Sequence, residues 1–109
     1  MKIELLYLDG CPNYEALVPR LRAILERDGI ETDVELRRVD TQEQAARLGF
    51  LGSPTVRIDG RDVEAAAATR RDFGLKCRLY RNPSGLQGVP PDEWILVAVR
   101  DRARQGCAA

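Results

Sequence analysis

Cys11 stands in the run Asp9-Gly10-Cys11-Pro12-Asn13-Tyr14, a turn that passes at once into a helical pattern. A thiol at a helix start lies near backbone N–H groups without intrahelical acceptors and near the positive end of the helix dipole. Both favour the thiolate, the form that attacks disulfides and binds soft metals. Cys11 is therefore the candidate nucleophile. The competing reading is a small buried residue at a strand end, because free cysteine is among the most buried residue types. The chain has two other cysteines, Cys77 and Cys107, and no histidine. Without imidazole there is no Ser-His-Asp triad, no Cys-His dyad and no histidine metal ligand. Acid–base work would fall to Asp, Glu, Cys, Tyr, Lys or a bound group. Three widely spaced cysteines form neither a secreted disulfide framework nor a zinc-ribbon spacing, so no metal site is expected.

The elements that must position Cys11 follow from the pattern around it. Residues 2 to 8 are short and apolar and read as a buried strand ending at the Asp9–Asn13 turn. Residues 13 to 28 place Leu17, Leu21, Ile24 and Leu25 on one helical stripe, with Pro12 suited to the helix start and Gly29 ending it. Pro19, inside the pattern, either kinks the helix or marks its true beginning. Residues 33 to 39 predict a second strand, and Asp40-Thr41-Gln42-Glu43 opens a short helix to about Leu48. After a loop through Pro54, Thr55 to Ile58 is a third strand, Asp59-Gly60 a hairpin turn, and Arg61 to Glu64 a fourth strand. The segment 65 to 90 is irregular: a helical turn at Ala65 to Ala68, alternation at Cys77-Arg78-Leu79-Tyr80 like an edge strand, and a turn at Asn82-Pro83-Ser84-Gly85. A last helix begins at Pro90-Pro91-Asp92-Glu93, carries Trp94 and Ile95 as core packing, and is expected to fray from Arg100 onward.

The order is β-α-β-α-β-β, an insertion, then α. It predicts an α/β domain spanning 1–109, with a parallel βαβ start, an antiparallel hairpin and a mixed four-stranded sheet flanked by helices. With 17 basic and 17 acidic residues the formal net charge is zero, so nothing points to nucleic acid as a partner. No apolar run reaches the roughly 18 residues of a membrane helix, so no membrane partner is expected. Lys2 and Glu4 break the first apolar stretch, which does not read as a secretory leader, and the expected location is cytoplasmic. Oligomeric state is not readable.

This order resembles the thioredoxin-like fold in its glutaredoxin form, and two motifs carry the resemblance. Cys11-Pro12-Asn13-Tyr14 resembles the Cys-x-x-Cys site with Tyr14 in place of the second cysteine. Ser53-Pro54-Thr55-Val56-Arg57-Ile58-Asp59-Gly60, with Pro54 43 positions after Cys11, resembles the segment in which a cis-proline precedes a strand and hairpin. The resemblance covers about residues 2 to 64 plus the last helix and leaves out 65 to 90. It implies that Pro54 packs beside the Cys11 sulfur and that the Ser53 backbone pairs with an extended substrate, a form of β-addition. The alternative for Pro54 is a proline that ends a loop. With Tyr14 in the second position, a resolving cysteine must come from elsewhere. Cys77, in a segment that could fold back over the site, is the candidate, and a half-buried edge-strand residue is the alternative. Cys107 reads as an incidental exposed thiol. Asp9 could exchange a proton or simply form the turn, and Tyr14 could cover the thiol or belong to the core. Arg70, Arg71, Arg78 and Arg81 could bind a glutathione carboxylate or could be solvated.

Three functions compete. The first is a thioredoxin- or glutaredoxin-like thiol–disulfide redox protein, with Cys11 and Cys77 catalytic and Asp9, Tyr14, Ser53 and Pro54 around the substrate. No cofactor is required, and a thiol or disulfide, with glutathione as co-substrate, is the partner. The second resembles alkylmercury lyases, in which Cys11 and Cys77 would hold an organomercurial and Asp9 would protonate carbon. The third is a non-catalytic thioredoxin-fold binding module.

Overall fold

A computed structural model describes the backbone of residues 1–108 and the side chains of residues 1–104. The architecture is α/β. Strand β1 (Ile3–Tyr7) is the inner strand between β2 (Val34–Arg38), which is parallel to it, and β3 (Thr55–Ile58), which is antiparallel. A short β4 (Arg61–Asp62) completes a mixed sheet of order β2-β1-β3-β4. An inner strand covered on both faces needs apolar residues without alternation. Ile3, Leu5 and Leu6 supply them, each fully buried. β2 lies at the edge and is mostly exposed, with charges that blunt edge-to-edge pairing. One of these charges also ties β2 to β1, because Arg37 donates at 2.8 Å to Glu4, whose side chain is only 5% exposed.

Helix α1 (Pro12–Arg27) buries Leu17, Leu21, Ile24 and Leu25, the predicted stripe. It runs through Pro19 and begins at Pro12, one residue ahead of the expected start. Its stripe joins Ile3, Leu5, Val56 and Ile58 from the sheet and Ile95 and Val99 from α3 (Asp92–Ala108) in one core. A second, smaller core of Leu6, Val39, Ala45 and Phe50 lies under α2 (Gln42–Leu48). The sheet is therefore covered on both faces, which fixes where each strand end emerges.

α2 is short and depends on its cap. Thr41 accepts from the Gln44 N–H while Gln44 reaches back to the Thr41 N–H, a reciprocal capping box. Thr41→Ala is expected to cost about 1 kcal/mol in urea unfolding, with an unchanged denaturant slope.

The hairpin turns at Asp59 and Gly60, with φ of 50° and 83°. β4 stops at Asp62, two residues earlier than expected; the Val63 N–H still donates to the Val56 carbonyl, and the Asp62 carboxylate accepts the Glu64 N–H. The chain then enters a 3-10 turn at Ala65–Thr69.

The largest departure from expectation lies in the insertion. Cys77–Tyr80 is not an edge strand. Cys77 makes one isolated bridge to Ser53, and the regular pairing comes later, between β5 (Tyr80–Asn82) and β6 (Gly85–Gln87). The alternation is real but places unexpected residues inside: Arg78 and Tyr80 are buried while Leu79 is 59% exposed. α3 also continues past the expected fraying point, to Ala108. Arg100 holds Asp28 with two hydrogen bonds, and Arg102 holds Asp59. The Cys107 side chain lies outside the described residues. Among the described residues no helix is long and apolar enough to cross a membrane.

Candidate functional site

Cys11 is the N-cap of α1, with extended backbone (φ −78°, ψ 112°) and no side-chain capping hydrogen bond. Pro12 follows at the first helical position and has no N–H to offer. The N–H groups of Asn13 and Tyr14, in the first turn, have no intrahelical acceptors. The Cys11 N–H donates to the Leu8 carbonyl at 3.3 Å, which closes the Asp9–Gly10 turn and places the thiol at the end of β1. Cys11 is 6% exposed.

The loop before β3 converges on the same strand end. The Ser53–Pro54 peptide bond is cis. Ser53, fully buried, accepts the Leu8 N–H on its hydroxyl at 3.0 Å. Leu8 thus links the two motifs, holding Cys11 through its carbonyl and Ser53 through its N–H. The alignment of β1 with β3, Leu6 opposite Thr55, sets this meeting.

The insertion is the third component. The Ser53 N–H donates to the Lys76 carbonyl at 2.8 Å, and the Arg78 N–H donates to the Ser53 carbonyl at 2.9 Å. Cys77, between them, is exposed and unbonded to another cysteine. Arg78 turns inward. Its guanidinium donates to both carboxylate oxygens of Asp62 (2.7 and 3.0 Å), to Glu64 (2.8 Å) and to the Thr55 hydroxyl (3.0 Å). It also lies 4.4 Å from the centre of the Tyr80 ring. Burial alone would favour its neutral form, but the bonds it donates to Asp62 and the charges around it outweigh burial and hold Arg78 firmly cationic. The Tyr80 hydroxyl donates to the Pro54 carbonyl, and burial pushes its pKa well above the ordinary phenol value. Residues 53, 54 and 55 are each held by the 76–80 segment.

The remaining candidates divide. Tyr14 stacks on Tyr7 (3.9 Å between ring centres) and packs against the main core. Burial, followed by the charge of and hydrogen bond with Tyr7, raises its pKa. Asp9 is exposed in the turn. Arg78 is not a solvated or glutathione-facing charge, because its acceptors are internal. Arg70 pairs with Asp72 and approaches Glu64, Arg71 donates to the Arg70 carbonyl, and Arg81 is exposed. Trp94 is partly buried against the core and meets Tyr80 edge-on at 6.1 Å. Cys11, Cys77 and Asp9 are not gathered into a metal-holding group, and no such group occurs among the described residues. A groove of about 920 Å³ lies elsewhere, beside β4, α3 and Arg81, and neither cysteine lines it.

Sequence reasoning missed Thr55, Asp62, Glu64, Arg78 and Tyr80 as supports of this loop. The available signal was the two-residue period of Arg78 and Tyr80, which required an arginine to be read as an inward-facing residue. No protein-family model, curated protein or solved structure matches the chain.

Proposed function

We propose that this chain is a thioredoxin-like thiol–disulfide redox protein in which Cys11 is the nucleophile and Cys77 resolves the intermediate. The observation that carries the reading is the Leu8–Ser53 junction. It holds the Cys11 helix start on one side and the Cys77 backbone on the other. The element order, the helix-start thiol and the Ser53–Pro54 loop agree with the resemblance seen in the sequence. The Cys11 thiolate attacks one sulfur of a disulfide, forming a mixed disulfide and releasing the other sulfur as a thiolate. The Cys77 thiolate then attacks the Cys11 sulfur, releases the second substrate thiolate and leaves a Cys11–Cys77 disulfide. Two equivalents of a low-molecular-weight thiol, such as glutathione, restore the dithiol and become the oxidised product.

Peptide mapping after treatment of the reduced protein with one equivalent of a small disulfide tests the reading. The expected product is a Cys11–Cys77 linkage in the unmodified chain and a mixed disulfide trapped on Cys11 in Cys77→Ser. Cys11 remaining unmodified in both would overturn it.

A further inference from the structure

Resting on the reading of Cys11 as the nucleophile, we infer that the 76–80 segment is a specificity element that restricts Cys11 to low-molecular-weight disulfides and excludes those carried in protein strands. An extended peptide docks on a sheet edge by exchanging backbone hydrogen bonds, one N–H and one C=O at a time. At Ser53 both groups are already taken, the N–H by Lys76 and the C=O by Arg78. The occupant belongs to the same chain and is held at several further points. Arg78 binds Thr55, Asp62 and Glu64, and Tyr80 binds the Pro54 carbonyl.

The approach is also close. Gly52 has φ +125°, and a Cβ there would stand 3.0 Å from both the Lys76 carbonyl oxygen and the Arg78 Cβ. A side chain at residue 52 would keep the segment from seating, and glycine both permits the backbone angle and leaves the space. The insertion also returns with Gly88 pressed against the side chain of Asn13, in the first turn of α1. Cys11 itself is 6% exposed.

An incoming strand would have to break both Ser53 bonds and replace them, while Arg78 and its carboxylates lost their alignment. A small disulfide needs no edge. It has only to bring one sulfur to the Cys11 thiolate, and the exchange then balances as above, with each substrate sulfur leaving as a thiol.

The test compares the reduced 109-residue chain on bis(2-hydroxyethyl) disulfide and on insulin, with the same low-molecular-weight thiol as final reductant. Wild type is expected to favour the small disulfide by about 100-fold or more in kcat/KM over background, as when an edge-open state is about 1% populated. Gly52→Ala and the gentler Tyr80→Phe should each lower that ratio by loosening the segment. A general loss of structure would lower both rates together and leave the ratio alone. Comparable rates on the two substrates in wild type, or a ratio unmoved in both variants while the small-disulfide rate is retained, would overturn the inference while leaving the redox reading intact. Reduction of neither substrate would overturn the redox reading, and the inference with it.

Discussion

Cys11→Ser is expected to abolish disulfide reduction, lowering the rate by about 10³-fold or more, because a hydroxyl at neutral pH supplies neither the anion nor the polarisable sulfur that exchange requires. The comparison with Cys77→Ser makes the result specific. Losing the resolving thiol leaves the first step intact, so a burst of one substrate thiol per chain should survive and only turnover should slow. Losing Cys11 should remove the burst as well. Cys11 is small, buried at the strand end and makes no capping hydrogen bond through its side chain. Serine therefore disturbs little packing and, as a favoured N-cap residue, should not weaken α1. Unfolding of Cys11→Ser by urea should match wild type closely, so that lost activity reports chemistry. Retained activity with an unchanged burst would exclude Cys11 as the nucleophile and return it to the role of a buried strand-end residue.

The sheet was legible because its strands obey local rules. The mostly apolar run of β1, interrupted by Glu4, needs cover on both faces, and α1 and α2 supply it. Asp59-Gly60 has the positive φ angles its hairpin requires, and the Thr41 cap starts α2 where cap-type residues suggested. Cys11 was legible for the same reason: a helix start is a local feature, marked by Pro12 and the stripe behind it. The tie of its turn to Ser53 through Leu8 was less so, since it depends on Leu8 bonding both ways. Leu8 has no side-chain chemistry to draw attention to it.

The insertion was misread because its stability is not local. Period-two alternation at 77–80 is compatible with a strand, but a strand needs a neighbour, and Ser53 offers only one bridge. What places the segment is a charged side chain in the interior. Sequence rules treat an arginine on an irregular stretch as solvated, because burying a guanidinium is costly unless acceptors surround it. Asp62 and Glu64, which meet that cost, lie 16 and 14 residues away and look like ordinary surface charges in a short strand. The premature end of β4 belongs to the same arrangement. The chain turns at Asp62 through the Glu64 N–H, bringing both carboxylates to face Arg78.

That arrangement predicts the largest stability effect in the molecule. Arg78→Met keeps much of the side chain's length and apolar stem but removes all four donated bonds. Asp62 and Glu64, with side chains 13% and 17% exposed, are left as adjacent like charges with little water. Removing one partner of a buried ion pair costs roughly 3–5 kcal/mol, much of it from the charges left behind. That is a large fraction of the roughly 5–15 kcal/mol that holds a typical domain folded. Arg70, 3.5 Å from Glu64 but already committed to Asp72, can relieve only part of the loss. Arg78→Lys should fall between, since one ammonium cannot reproduce a planar fork that reaches both Asp62 oxygens and Glu64 at once. Adding Asp62→Asn and Glu64→Gln to Arg78→Met should recover part of the stability, because the orphaned charges disappear together with their partner. Urea midpoints of the four proteins measure this directly. A loss below about 1 kcal/mol in Arg78→Met, a value typical of surface ion pairs, would mean that the guanidinium does not secure the insertion. Recovery in the triple variant would instead locate the cost in the uncompensated carboxylates. The Tyr80 contact to Pro54 and the two Ser53 backbone bonds would then still hold the segment against the loop before β3.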